Sequence, residues 1–343
     1  MKNLNIAVLY GGKSTEHEVS VHSAGDVCKE LKKKYNILPV FISKTGKWFL
    51  QKECGFQTKS DIEISPLLNS CLIDKKGKKY KVDLFFPVLH GSFGEDGCIQ
   101  GLFEIMGAKY AGCKVLASAA AINKELSKQI AMLAGIPVLP WFALDKREKT
   151  DKKDILKRAK KLGYPIFVKP TSLGSSIGIS KVNNEKELLP AIENAFKFEN
   201  HILVEQGLDN AREVFCGVIE LKPNTFKASA CGELINSGSE FFDYETKYHN
   251  PHGCDMEIPS RLPKKLQEKM QKYSEVFFTA LGGTGLSRID FLISQDGKKV
   301  YFSEINTLPG LSKTSLFPNL FKAYGLNYGK QLDIIINTAL NRK

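Results

Sequence analysis

The chain has 343 residues, enough for two or three domains with cores of their own at roughly 150 residues each. Hydrophobic residues make up 43% and charged residues 25%, which excludes wholesale disorder, and no apolar run approaches the ~18 residues of a membrane helix. The formal charge of +12 rests on 43 lysines against six arginines, and base recognition leans on bidentate arginine, so nucleic acid is set aside in favour of a solvated lysine-rich surface whose field draws small anions such as a nucleotide.

The apolar stretch 4–10 is too short for a signal peptide and runs into Gly11-Gly12-Lys13, so it reads as a buried strand ending in a glycine loop. A helix is predicted over 20–34 from the stripe Val21, Ala24, Val27, Cys28 and Leu31, with Ser20 capping its first turn. The runs ILPVFI and VDLFFPV are further strands, with Thr45-Gly46 marking a tight turn between them. This alternation predicts an open α/β domain with a parallel sheet, which binds ligands beyond the carboxyl ends of its strands, where GGKSTEHEVS and HGSFGEDG lie. Glu16, His17 and Glu18 read either as an acid/base cluster or as a capping box of Ser14 or Thr15 with Glu18, and both stay open. His90, at a strand end, suits ligand contact and a structural role equally.

From 115 a single helix is predicted to carry Lys124, which alone reads as a surface residue. Then follow the strand VLPWFAL, a charged helix over 152–162, the strand YPIFVKP ending at Lys169, the mobile segment TSLGSSIG, the strand ISKV, the helix NNEKELLPAIENAFKF and the strand HILVEQ. TSLGSSIG lies between two strands, so it is not a Walker loop; it reads as a flexible turn or as a flap whose N–H groups cover phosphates. Two strands lie beyond Glu213, then a polar, aromatic-rich segment over 236–259 with neither periodicity, expected to be a lid or ordered loop. Tyr244 and Tyr248 pin that loop, and His249 and His252 have no zinc-spaced partner. A long helix then carries Leu266, Met270, Tyr273, Phe277 and Ala280 on one face. The eight cysteines show no two-residue spacing, which excludes the usual zinc signatures and predicts free thiols in a reducing cytoplasm; Cys113, Cys216 and Cys231 read as packing residues.

The hairpin GLSRIDFLISQDGKKVYFSEIN is the most informative local pattern. Period 2 puts Arg288 with Asp290 on one strand face and Glu304 with Asn306 on another. An even pairing register, expected from a three-residue loop ending at Gly297, aims all four to one side. Two carboxylates and an amide oxygen suit Mg²⁺; the bland alternative is a surface ion pair of Arg288 with Glu304.

Seven segments in order, GGKSTEHEVS, HGSFGEDG, FVKPTSLGSSIGISKV, LVEQ…ARE, FFDYETKY, SRIDF and EINTLPGLSKTSL, resemble the D-alanine–D-alanine ligases of the ATP-grasp superfamily. The resemblance implies an N-terminal α/β substrate domain over 1–115 followed by a two-part ATP-grasp fold, its central part over 116–212 with the flap and its C-terminal part over 213–343 with the long loop and metal hairpin. It implies Lys124, Lys169 and Lys247 at the ATP phosphates, Glu205 and Leu208 at adenine, and Glu213 at ribose. Asp290, Glu304 and Asn306 match ligands of two Mg²⁺ or Mn²⁺ ions, and Arg288 with the Gly310 N–H matches the oxyanion-stabilising pair. Glu16 matches the anchor of the first D-alanine's ammonium and joins Ser175 and Tyr248 in a triad across the site; His90 is on the substrate side, and Ser315 and Leu316 match the second substrate's carboxylate pocket. The chain departs from the family in an extra residue before Glu213, in lacking a glycine before Arg212, and in Leu173 at a polar flap position. The implied activity is ATP-dependent joining of two D-alanines through an acyl phosphate, for peptidoglycan precursors, by a cytoplasmic homodimer without nucleic-acid or membrane partners. The alternatives are D-serine or D-lactate as second substrate, and a non-catalytic ATP-binding regulatory module.

Overall fold

The computed structural model describes residues 4–174, 176–236 and 254–342. The first strand, β1 (Asn5–Gly11), is covered on both faces, which is why its sequence is continuously apolar rather than alternating. Ile6, Val8 and Tyr10 face one core; Ala7 and Leu9 face another. Helix α1 (His17–Leu31) returns the chain to β2 (Asn36–Ile42), parallel to β1. No helix separates β2 from β3 (Trp48–Leu50), so the turn at Thr45-Gly46 forces an antiparallel pair, and β4 (Ile62–Leu67), β5 (Cys71–Asp74) and β6 (Lys79–Lys81) continue as a meander. β7 (Leu84–Pro87) then pairs in parallel with the other side of β1, giving the order β6-β5-β4-β3-β2-β1-β7. The predicted parallel sheet is therefore mixed, with only β2, β1 and β7 parallel.

Three local expectations are corrected here. Ser20 does not cap α1: its hydroxyl accepts from Gly11 N–H (2.8 Å) and donates to Val88 C=O (2.5 Å), tying the ends of β1 and β7 together. Nor does Glu18 close a capping box, because it turns outward to Lys44 (2.5 Å). Free thiols were expected throughout, yet Cys28 on α1 is bonded to Cys54, with Cα atoms 6.8 Å apart. Their separation of 26 residues carries no motif, so the pairing exists only in three dimensions. Cys113, Cys216 and Cys231 are free and buried, as expected of packing residues.

After α2 (Cys98–Ile105), the helix predicted from 115 is two helices, α3 (Val115–Ile122) and α4 (Lys124–Leu133). Asn123 divides them by leaving helical geometry and accepting from Leu126 N–H (3.0 Å), an N-cap that starts a new helix. β8 (Trp141–Asp145), α5 (Lys152–Leu162), β9 (Ile166–Pro170), β10 (Ser180–Val182), α6 (Glu185–Ala195) and β11 (His201–Gln206) follow. They form an antiparallel sheet of order β10-β9-β11-β8, with α5 and α6 packed over its apolar face.

The third sheet, β14-β13-β12-β15-β16, comprises β12 (Arg212–Lys222), β13 (Thr225–Asn236), β14 (Cys254–Glu257), β15 (Leu286–Ile293) and β16 (Val300–Asn306). Helix α7 (Lys264–Ala280) covers one face through Met270, Phe277 and Phe278, joined there by Ala117 and Ala121 of α3 and Ala131 of α4; Ala280, predicted on that stripe, is exposed. Helices α8 (Leu316–Ala323) and α9 (Tyr328–Asn341) complete the chain, and Ile335 and Ile336 of α9 reach back into the core beneath α1. Of the long polar segment, residues 254–257 are a strand paired with β13. Ser175, Tyr244, Lys247, Tyr248, His249 and His252 lie outside the described residues.

Candidate active site

β12 and β15 pair in unbroken register, with Phe215 opposite Asp290 and Gly217 opposite Arg288. Period 2 therefore aims Glu213, Phe215, Arg288 and Asp290 to one face, while Val214, Cys216, Ile289 and Phe291 fill the core on the other. Across β16 the pairing is Arg288 with Asn306 and Asp290 with Glu304, the even register expected from sequence, but its cause differs. Nearer the turn, Phe291 faces Phe302 and Ile293 faces Val300, an odd register, because the loop holds four residues between the hydrogen-bonded Ser294 and Lys299. Ser303 is the extra residue of a β-bulge between the two registers. Were Ser303 paired with Asp290 as an ordinary strand residue, Glu304 would fall on the core face with Phe302; bulging Ser303 out of the pairing turns Glu304 to the side of Asp290. Arg288 grips Asp290 of its own strand with two bonds (2.7 and 2.8 Å) above the Phe215 ring.

Opposite this face stand three lysines. Lys124 is buried rather than at the surface, because it opens α4 under the root of the flap. Its backbone N–H donates to Thr171 C=O (2.8 Å) and its ammonium to Leu173 C=O (2.5 Å). Glu199 accepts from Thr171 Oγ1 (3.0 Å) and Ser172 N–H (2.8 Å), fixing the same root. Lys169 ends β9 over the Phe167 ring and binds Glu205 of β11 (2.6 Å). The other oxygen of Glu205 faces Lys128, one turn beyond Lys124 and wholly buried, a residue that sequence reasoning missed. Burial works against the Glu205 carboxylate, but the two lysines outweigh it and hold Glu205 ionised. Burial likewise opposes charge on Lys169, while Glu205 and, farther off, Glu304 and Glu213 hold it above the ordinary lysine range. For Lys124 and Lys128 burial prevails and lowers both, against the pull of Glu304 and Glu205. The connector runs through the turn between β11 and β12, where Asn210 adopts φ 49°; Leu208 lies in this turn, and Glu213 is the second residue of β12.

The two N-terminal loops close the site from the other side. Glu16, His17 and Glu18 do not cluster: His17 turns inward to Gly12 C=O (2.7 Å) and the edge of Phe41, and Glu18 turns to Lys44. Glu16 alone faces the HGSFGEDG loop and the flap. A Cβ on Gly91 (φ 69°) would stand 2.8 Å from its Oε2, so glycine suits that position, and one on Gly174 would stand in ordinary contact at 3.9 Å. The HGSFGEDG loop is built by its own acids, Asp96 accepting from Phe93 and Cys98 N–H and Glu95 from Gly91 N–H. Burial, with the Glu16 carboxylate next in weight, pushes Glu95 up to about 8. Burial pushes His90 down; its Nδ1 donates to Leu308 C=O (3.1 Å), leaving a buried Nε2 without a partner among the described residues. The segment 310–315 runs from this point into α8. A Cβ on Gly310 would stand 2.8 Å from Ser315 Oγ, and Ser315 Oγ meets Ser312 Oγ at 2.6 Å. Leu316 opens α8 beside Met256 and Ile258.

The donor set on the hairpin fits a hard divalent cation by its chemistry: the carboxylates of Asp290 and Glu304 and the amide oxygen of Asn306 share one face. Among the described residues no group of three His, Cys, Asp or Glu gathers that could hold a metal ion, at the hairpin or elsewhere.

Two family models match, "D-ala D-ala ligase N-terminus" over residues 5–113 and "D-ala D-ala ligase C-terminus" over 130–337. Among curated relatives, the D-alanine–D-alanine ligase of Caldicellulosiruptor bescii is 38% identical over all of this chain and 96% of its own length. That of a Thermoanaerobacter strain is 39% identical over 99% and 97%. Among solved structures, the VanG D-Ala:D-Ser ligase of Enterococcus faecalis superimposes with TM-score 0.87 at 33% identity, covering 98% of this chain and 100% of that one. The D-alanine–D-alanine ligase of Coxiella burnetii superimposes with TM-score 0.87 at 30% identity, covering 100% and 95%. The fold is that of ATP-grasp enzymes, a mixed N-terminal α/β sheet followed by two further sheets. The chain belongs to the D-alanine–D-alanine ligase family. It is a ligase, which sets aside the non-catalytic nucleotide-binding module.

Proposed function

We propose that this enzyme joins two D-alanine molecules to D-alanyl-D-alanine at the expense of ATP, releasing ADP and phosphate for peptidoglycan precursors. The reading rests above all on one juxtaposition: the buried lysines of α4 and β9 stand opposite the face on which the Ser303 bulge sets Glu304 beside Asp290. Residues 1–115 form the substrate domain, 116–212 the central ATP-grasp part and 213–343 the C-terminal part. Lys124 and Lys169, with Lys247, neutralise the ATP phosphates; Glu205 and Leu208 border adenine, and Glu213 binds ribose. Asp290, Glu304 and Asn306 would hold two Mg²⁺ or Mn²⁺ ions, which supply charge neutralisation for the transferring phosphoryl group.

Glu16 anchors the ammonium of the first D-alanine and, with Ser175 and Tyr248, ties flap and long loop over it, while His90 lines its pocket. A carboxylate oxygen of this substrate attacks the γ-phosphorus and ADP leaves, giving an acyl phosphate. Ser315 and Leu316 hold the carboxylate of the second D-alanine, whose amine, after losing a proton, attacks the acyl carbon. Arg288 and the Gly310 N–H stabilise the oxyanion, a role whose loss typically costs about 10²–10³ in rate. The C–O bond to phosphorus then breaks and phosphate departs. Closure of the flap and long loop keeps water from the acyl phosphate. The enzyme acts in the cytoplasm, where ATP is supplied, and as a homodimer, which sedimentation would test; among the described residues no helix is long and apolar enough to cross a membrane.

Coupled ADP release tests this reading, with D-alanine, L-alanine, D-serine and D-lactate compared side by side. D-alanine alone should support turnover at both sites. Preferred release with D-alanine plus D-serine or D-lactate would shift the second substrate, and ADP release indifferent to D-alanine would end the proposal.

A further inference from the structure

Helix α1 has Glu16 at its start and, about three and four turns on, Asp26 and Glu30. Asp26 Oδ2 accepts the backbone N–H of Lys313 (2.9 Å), the middle of the segment between Gly310 and Ser315. The Lys313 ammonium extends to Glu30 (3.7 Å) and lies over the Tyr328 ring (5.7 Å). Tyr328, on α9, donates to Leu311 C=O (2.7 Å), and Asn319 of α8 donates to the carbonyls of Lys313 (3.2 Å) and Ser315 (2.9 Å). Backbone groups at three alternate positions of a short, otherwise irregular segment are thus held by three helices, and Asp26 supplies the hold from α1.

We propose that Asp26 is a positioning residue for the second substrate: by fixing Lys313 N–H, it sets the segment bearing Gly310 and Ser315 relative to Glu16. The proposal rests on the reading of Ser315 and Leu316 as the second substrate's carboxylate pocket. The physical case is that one rigid element carries both ends of the reaction. Ten residues of helix separate Glu16 from Asp26, about 15 Å at 1.5 Å per residue, and that span cannot stretch as a loop would. The disulfide at Cys28 and the Ser20 tie between β1 and β7 hold the same helix to its sheet. Attack on an acyl carbon demands reacting atoms within about 3–3.5 Å, so a displaced carboxylate pocket weakens attack without touching ATP. Such displacement also leaves the acyl phosphate waiting for an amine and open to water.

The test measures the Michaelis constants for ATP and for each D-alanine site, together with the ratio of ADP released to dipeptide formed. Asp26→Ala should raise the second-site constant about tenfold and push the ADP-to-dipeptide ratio above one, with the ATP and first-site constants within twofold. Asp26→Asn keeps an acceptor oxygen and should restore most of the loss. Ser315→Ala is the control for the pocket itself: an unchanged second-site constant there overturns the pocket reading and this proposal with it. If Ser315→Ala weakens the second site while Asp26→Ala does not, the proposal alone falls. It falls equally if Asp26→Ala raises all three constants in parallel with a lowered Tm and Asp26→Asn does not rescue.

Discussion

Lys128 illustrates what a single buried charge does here. Glu205 lies between it and Lys169, and a carboxylate held by Lys169 alone would spend the charge that Lys169 is to offer a phosphate. Adding Lys128 leaves the cluster net positive. Lys128→Met should destabilise the fold by roughly 3 kcal/mol and raise the Michaelis constant for ATP, and Lys128→Met with Glu205→Gln should recover part of the stability. Urea unfolding of wild type, Lys128→Met, Glu205→Gln and the double variant decides it; additive losses would deny the coupling. The sequence did carry a signal for this lysine. Lys124, Ser127, Lys128 and Ala131 form the buried stripe of α4, but two lysines on a stripe read as solvated until a carboxylate is known to meet them. Glu95 gives a pH test. Its folded carboxyl lies near 8 against an ordinary 4.5, so the folded protein holds the proton more tightly than the unfolded chain. The stability Glu95 contributes is present below the ordinary value and is lost as pH rises towards 8. Glu95→Gln cannot ionise, so its stability relative to wild type should improve between pH 5 and pH 8.5. A difference that stays constant would contradict the assignment.

Among the elements, the β15–β16 hairpin decides most. The residue types and their period 2 were legible, and so was the even register at the far end. Its source was not, because a β-bulge is a backbone event that Ser303 does not advertise, and the loop of itself delivers the odd register. Glu304→Gln should lose ligation by about 10³ or more. Deleting Ser303 removes the bulge but joins Phe302 directly to Glu304, so regular alternation keeps Glu304 opposite Asp290 and Asn306 opposite Arg288. The deletion should therefore retain far more turnover than Glu304→Gln. Loss of ligation as complete as in Glu304→Gln, with an unshifted Tm, would contradict this register. The meander of β3 to β6 was missed for a different reason: strands of three to six residues are too short to show an apolar alternation, and successive pairing outward from β2 makes them strands.

At the scale of the molecule, the order of motifs along the chain was enough to name the family, since each motif is a loop or strand end whose residue types are fixed by chemistry. What joins them was illegible: the disulfide at Cys28, the grip of α1 on the segment after Gly310, and α9 packing beneath α1 are contacts between residues hundreds of positions apart or without any motif. The central claim is that ATP activates the first substrate's own carboxylate. Supplying D-alanine with both carboxylate oxygens labelled as ¹⁸O and analysing the released phosphate tests it directly. One labelled oxygen should appear in each phosphate formed with dipeptide, because the C–O bond of the acyl phosphate breaks on amine attack. Phosphate free of label, with dipeptide still forming, would contradict the account.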